Sequence, residues 1–275
     1  MFLVAVLLCL AASGTPPAYA DWHVLAPGME FKWLATKTPS PVGDSRIAVV
    51  RIDPTSWQLE LVGRSQAGES AGRTAREWAN AHGLAVAINA GMFGRDHRIH
   101  VGYMEFRGHV MSSRVNEYRS VAAFDPRGAH HRPPFRIFDL DTPGVTLQAI
   151  RHEYASLVQN LRLIQRPGTS RWRQQDKKWS EAALGEDQEG RLVLALSSAP
   201  LSMHDLNREL LSAGLSLVAA QHLEGGPYAQ LYVKVGELEI EVVGRYGTSG
   251  GGIEASAIAW PIPTVLGVKQ KPATP

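Results

Sequence analysis

The chain is expected to fold as an α+β protein: a mixed or antiparallel sheet core with a few packed helices, in a single exported domain. Three observations predict this. Short apolar or alternating runs of strand length recur between turn signals, and 26 glycines and 17 prolines supply many such signals. Residues 74–82 and 202–213 are the stretches that pattern as helices. Composition is that of an ordinary globular chain, 44% hydrophobic and 20% charged, with no internal repeat, heptad or low-complexity tract.

Residues 2–12 are apolar throughout. After Pro16 and Pro17, Ala18-Tyr19-Ala20 provides a small-x-small cleavage site, so residues 1–20 are expected to be a signal peptide. Only the amino terminus supplies positive charge ahead of the run. The run is shorter than the roughly 20 residues of a spanning helix, so no membrane span is expected after cleavage. The one cysteine, Cys9, lies in this segment behind Leu8, where a lipoprotein site wants a small residue. Removing 20 residues from 275 leaves a mature chain of 255 without cysteine, which suits the periplasm or the medium. Residues 21–268 are read as the domain and 269–275 as a flexible tail. The net charge of +2 carries no strong basic field, so nucleic acid is not an expected partner.

Residues 22–31 read as a first strand with a turn at Pro27-Gly28. Residues 47–52 and the alternating 58–62 read as a hairpin across Pro54-Thr55-Ser56-Trp57. Residues 74–82 read as a helix. Ser70 or Thr74 caps it, Ala75, Trp78 and Ala79 form its apolar side, and Gly83 ends it. Residues 84–88 are a continuous apolar strand, buried on both faces, that runs into Asn89-Ala90-Gly91-Met92-Phe93. An amide at the end of a buried strand suits a binding loop, though it also suits a self-satisfied turn. His97 and His100 are three apart with no third ligand at a familiar spacing, so neither metal nor cofactor is expected.

Residues 101–106 with the Arg107-Gly108 turn read as a hairpin, and 121–124 as a strand. Residues 154–164 include Gln159-Asn160-Leu161-Arg162, polar groups inside an apolar stretch. The Arg162 guanidinium suits a phosphate or carboxylate, or a plain surface position. Residues 168–178 read as a rim loop, with Trp172 and Trp179 available to stack on a sugar. Residues 179–187 and 191–196 read as two strands joined by an acidic turn. Ser202 with Asp205 starts the second helix, and Gly214 stops it. His204 lies in its first turn, near the positive dipole end and a ready anion site.

The chain is organised around Leu223-Glu224-Gly225-Gly226-Pro227. An apolar run precedes it and an alternating run follows, so it reads as buried element, sharp turn and strand. A carboxylate held there is well placed for chemistry, although a plain turn with its acid in water has the same residues.

Asn89 to Phe93, Gln159 to Ile164, Ser180 to Asp187, Ser202 to Leu206 and Leu223 to Pro227, in this order, resemble the phosphodiester glycosidase family, the bacterial relatives of the mannose-6-phosphate uncovering enzyme. The resemblance extends over residues 47–268. It implies an α+β fold and cleavage of a sugar from a phosphodiester. The family's Asn-(Gly/Ala)-Gly-x-(Phe/Tyr) falls on Asn89, Gly91 and Phe93. Its Asp-Gly-Gly falls on Glu224, Gly225 and Gly226, with the acid one methylene longer here. Its (Thr/Ala)-(Ile/Val)-Gly-x-Asp falls on residues 183–187. Glu181 stands where many relatives carry an arginine, and Arg162 is the expected replacement.

The expected substrate is a carbohydrate or sugar phosphate. The expected catalytic residues are Glu224, Glu181 and His204, with the two carboxyl groups flanking an oxocarbenium-like state. The expected substrate-binding residues are Asn89, Gly91, Arg162, Asp187, Gly225 and Gly226. Burial should raise the Glu224 pKa, which suits an acid, and a nearby cation should lower it, which suits a nucleophile. The competing class is a non-catalytic envelope protein that binds a polysaccharide or peptidoglycan fragment on the same scaffold.

Overall fold

Two sheets face one another across the main core in the computed structural model, which describes residues 21–271 except 38, 41, 43, 129–130 and 246–257. The signal segment expected at 1–20 and the last residues of the expected tail, 272–275, lie outside the described residues. The first elements are β1 (His23–Ala26), β2 (Met29–Ala35), β3 (Arg46–Ile52), β4 (Trp57–Gly63), α1 (Arg64–Ala67), α2 (Ala75–His82), β5 (Val86–Asn89), β6 (Met104–Phe106) and β7 (His109–Ser112). Next come β8 (Ser120–Pro126), β9 (Phe135–Asp139), α3 (Leu147–Glu153), β10 (Tyr154–Gln165), β11 (Thr169–Ser170), β12 (Trp179–Asp187) and β13 (Leu192–Leu201). The chain closes with α4 (Met203–Ser212), β14 (Leu217–Gly225), a 3-10 turn (Gly226–Tyr228), β15 (Gln230–Val235), β16 (Leu238–Val243) and β17 (Thr264–Gln270).

The large sheet runs β1-β2-β3-β13-β12-β14-β10-β6-β7, with β8, β9 and β11 attached through β10 and β8. The small sheet runs β16-β15-β5-β17-β4. Neighbouring strands pair antiparallel in both, as in the α+β class read from the sequence. Strands of both sheets alternate inward and outward, and the inward residues meet in one core. Phe31, Val50, Leu184 and Leu194 come from the large sheet, and Leu61, Ile88, Leu231 and Leu266 from the small one. The opposite faces are covered by helices. Leu206 and Leu210 of α4 pack on Val49, Ala183 and Ala220 of the large sheet. Ala75, Trp78 and Ala79 of α2 pack on Val62, Ala87 and Val265 of the small sheet.

The α2 helix follows its sequence signals closely. Thr74 accepts from Glu77 N while the Glu77 side chain reaches back to Thr74 N, a complete capping box, and Gly83 ends the helix at φ 62°. Thr74→Ala should therefore cost about 1 kcal/mol of stability in urea denaturation, because the Glu77 N–H in the first turn loses its acceptor. An unchanged midpoint would show that the cap carries no weight.

Two sequence expectations fail on pairing partners. Residues 47–52 and 58–62 do not form a hairpin. β3 lies between β2 and β13 in the large sheet, whereas β4 pairs with β17 in the small one. Both flanks of β3 are taken, and the four-residue connection at Asp53–Ser56 carries the chain from one sheet to the other; length and alternation look the same in either case. The boundary at 268 also moves. Lys269 and Gln270, read as tail, pair with Gln58 and Trp57 at the end of β17.

Candidate active site

The Leu223-Glu224-Gly225-Gly226-Pro227 stretch is the third crossing between sheets, after β3–β4 and β5–β6. β14 ends at Gly225 in the large sheet, and β15 begins at Gln230 in the small one. Gly226 takes φ 61°, which favours glycine. At Gly225 an added Cβ would stand 2.3 Å from a Trp179 ring carbon, so the indole packs directly on the backbone beside Glu224.

Glu224 is held by backbone on two sides. Gly225 N donates to its Oε1 at 3.0 Å, and the Phe93 N–H also reaches the carboxyl. This second contact joins the Asn89-to-Phe93 loop to the Glu224 turn across 131 residues of sequence. Burial disfavours the charged form more strongly than these N–H groups favour it, and the Glu224 pKa is pushed up to about 7. Tyr118 lies near enough that the Glu224 charge adds to burial in raising its own pKa.

Glu181 sits on the neighbouring strand, its Cα opposite Gly225 and that of Ala182 opposite Glu224. It has no exposure, and its Oε2 lies 2.7 Å from His222 Nδ1, itself buried. Neither Glu181 oxygen has a well-directed hydrogen-bond donor among the described residues. Burial raises the Glu181 pKa, and the contact with Glu181 raises that of His222 against its own burial. The pair is therefore best held with one shared proton and no net charge.

Asn89 is wholly buried at the end of β5, where its Oδ1 accepts from Gln230 N at 3.1 Å. Its Nδ2 is a buried donor with no partner among the described residues. Gly91, at φ 154°, allows the loop to close on β10: an added Cβ would stand 2.2 Å from Asn160 Oδ1 and 2.5 Å from His100 Cε1. Asn160 Nδ2 donates to Ala90 O at 3.0 Å and leaves Oδ1 as a buried acceptor without partner. His100 contacts Gln159 O at 2.8 Å, and burial pushes its pKa down to about 4, so it is neutral. The site thus combines a carboxyl that titrates near neutrality with a buried donor and a buried acceptor whose hydrogen bonds are unmade, a polar set that suits a hydroxyl-bearing ligand.

The structure brings Asn89, Gly91, Glu224, Gly225 and Gly226 into one neighbourhood, with Glu181 behind them. It places the other expected site residues elsewhere. Arg162 is engaged by Asp139 and Asp141, at 3.3 and 2.7 Å, so its charge is already met. Asp187 lies six residues along β12 from Glu181, about 20 Å at strand rise. There its carboxylate accepts from Glu189 N, Arg191 N and Arg191 Nε and holds the turn to β13. His204 stands at the start of α4, on the outer face of the large sheet, 3.5 Å from Asp205. Trp172 donates to Arg162 O at 2.8 Å and packs with Trp179 on the apolar cluster under α4, so neither is the free stacking face expected of a rim loop.

His222 and Asn160 are the site residues that single-residue reading passed over. A signal was present: Gln221-His222 and Gln159-Asn160 interrupt apolar strands, and buried polar groups in a strand require partners. Among the described residues no group of three or more His, Cys, Asp or Glu is arranged to hold a metal ion.

The sequence model of the phosphodiester glycosidase family matches residues 82–269. No curated protein matches the chain in sequence. Solved structures share the fold. One is the catalytic domain of zebrafish N-acetylglucosamine-1-phosphodiester alpha-N-acetylglucosaminidase, auto-inhibited by its pro-peptide. It has TM-score 0.59 and 14% identity over 89% of each chain. A second is a hypothetical protein from Synechocystis, with TM-score 0.60 and 15% identity. That match covers 94% of this chain and 64% of the Synechocystis one.

Proposed function

Because this chain belongs to the phosphodiester glycosidase family, we propose that it is a hydrolase that releases a sugar from a phosphodiester, and that it acts outside the cytoplasm. The observation that carries the reading is Glu224, a partly exposed carboxyl held by two backbone N–H groups with its pKa pushed up to about 7. A raised pKa suits proton transfer and disfavours the role of a permanently charged nucleophile. A phosphate leaving group departs with little acid help, so the step that gains most from a proton-transfer group is attack by water. In the proposal Glu224 is the general base. It takes a proton from water as the water oxygen bonds to the anomeric carbon, while the bond from that carbon to the phosphate oxygen breaks and the phosphate leaves as a monoester. Asn89 Nδ2 donates to a sugar hydroxyl and Asn160 Oδ1 accepts from one, which completes both amides. The buried Glu181–His222 pair stands behind Glu224 as a positioning element without net charge; no role falls to Arg162, Asp187 or His204.

The test is sugar release from aryl and nucleotide sugar phosphodiesters by the purified chain. Release supports the reading. Inactivity on all of them overturns it and leaves the non-catalytic binding protein. Export has its own test: the apolar residues 2–12 and Ala18-Tyr19-Ala20 lead to the expectation that N-terminal sequencing of the exported protein begins at Asp21. A full-length chain retained in the cytoplasm refutes it.

A further inference from the structure

One of the two N–H groups that hold Glu224 comes from a segment that belongs to neither sheet. Residues 92–94 and 99–101, between β5 and β6, form a short antiparallel ribbon of their own. Gly94 N donates to Ile99 O and Val101 N to Met92 O, both at 3.0 Å. Phe93 and His100 face each other between these two bonds. In a pair of that kind the backbone groups point away from the partner strand. The Phe93 N–H is therefore free to reach Glu224, and the His100 carbonyl accepts from Ser112 Oγ at 3.0 Å.

A two-stranded ribbon of this size does not hold its own place in water. Among residues 92–101 His100 alone is buried, at 4% exposure. Its Nε2 lies 2.8 Å from Gln159 O on β10. A carbonyl can only accept, so Nε2 carries the hydrogen. The ring also reaches the Met92 backbone, on the strand that carries Phe93. The anchor itself is fixed: the buried Gln159 amide donates to Asn116 O at 3.0 Å and to Tyr118 O at 2.9 Å. The imidazole thus spans from β10 to the ribbon, directly opposite the residue whose N–H meets Glu224.

We infer that His100 is a positioning residue of the active site: its imidazole ties the ribbon to β10 and so sets the Phe93 N–H on the Glu224 carboxyl. This role rests on the reading of Glu224 as the proton-transfer group. The N–H favours the charged carboxylate, so its loss should make Glu224 hold its proton more tightly and leave the carboxyl loosely placed. The charges that act on Glu224 belong to His222 and Glu181 on neighbouring strands. His100 is neutral, its pKa pushed down to about 4 by burial, so its replacement changes no charge near neutral pH.

Carbon NMR of the full chain, labelled at the glutamate carboxyls, tests it. The resonance lost in Glu224→Gln identifies Glu224, which should titrate near pH 7 in the wild type. In His100→Leu its midpoint should rise by roughly one pH unit, a tenfold tighter hold on the proton. In the same variant kcat on a sugar phosphodiester should fall roughly tenfold or more, with KM little changed. His100→Gln, whose amide can donate from the place of Nε2, should restore both. A merely structural histidine would lower Tm in both variants and leave the Glu224 titration alone. The role is overturned if the midpoint does not move in His100→Leu, or moves as far in His100→Gln. If His100→Leu fails to fold, Ser112→Ala loosens the same ribbon at the His100 carbonyl and should move the midpoint in the same direction; an unmoved midpoint there overturns the role as well. Failure of the hydrolase reading looks different. A Glu224 that responds to His100 in a chain that cleaves no sugar phosphodiester keeps the positioning and removes the reaction. Sugar release with a Glu224 indifferent to His100 keeps the reaction and removes the positioning.

Discussion

Glu224→Gln is expected to fold like the wild type and to release sugar from a phosphodiester roughly 100-fold or more slowly, the usual weight of a positioned general base. The amide keeps the size of the side chain and an oxygen for the N–H groups of Gly225 and Phe93, but it cannot take a proton in this range. The pH profile carries a second reading of the same residue. A base works in its charged form, so wild-type kcat/KM should rise with pH up to about 7 and level off above it. The opposite limb, loss of rate above neutrality, would make Glu224 the acid. An unchanged rate in the variant would remove it from the mechanism.

The same substitution has a stability signature of fixed sign. The Glu224 pKa rises from its usual 4.5 when the chain is unfolded to about 7 when it is folded. The folded state therefore holds the proton more tightly, and stability is lost as pH rises through that window. Each pKa unit is worth about 1.4 kcal/mol, so the ionised carboxylate costs on the order of 3 kcal/mol above pH 7. Glutamine has no such penalty. Glu224→Gln should melt higher than the wild type at pH 8 and close to it at pH 4.5. Equal melting temperatures at both values would mean that burial does not strain this carboxyl.

The second large effect is expected at the buried pair. His222→Leu leaves Glu181 without its ion-pair partner, in a position with no solvent contact. Breaking one side of a buried pair costs about 3–5 kcal/mol, because the survivor remains desolvated and unpaired. The cost should grow with pH, since a lone buried Glu181 is stable only when protonated and the unfolded chain ionises first. Removing both groups as Glu181→Leu with His222→Leu should recover most of the loss, as apolar replacements of buried pairs commonly do. Urea denaturation of the two single variants and the double variant measures this. Simple additivity in the double variant would show that the 2.7 Å contact carries no coupling. Sugar release by the double variant then separates position from chemistry: a chain that keeps kcat has no catalytic use for Glu181.

The sequence by itself determined the local elements, among them the turn that carries Glu224. The Thr74 box and Gly83 are contained within one turn of chain, so they set α2 without help from distant residues. The strands from Val86 to Asn89 and from Leu217 to Gly225 follow from apolar runs, and the two-glycine turn beside Glu224 follows from backbone freedom at Gly226. The order of five short motifs identified the family.

Only the tertiary structure decided the partners. Alternation in 58–62 records one apolar face but not which strand lies alongside, so β4 belongs to the small sheet for a reason that resides in β17. Arg162, Asp187 and His204 carry the same chemistry in any fold. The carboxylates of Asp139 and Asp141, the turn at Arg191 and the outer face under α4 are what the fold sets against them. Glu181 gains its meaning from His222, which is 41 positions away in sequence and 2.7 Å away in space. Local conformation depends on steric and hydrogen-bond terms within a few residues of chain, which a sequence displays directly. The ionisation and availability of a side chain depend on whatever the fold brings against it, and that is settled by the packing of the two sheets.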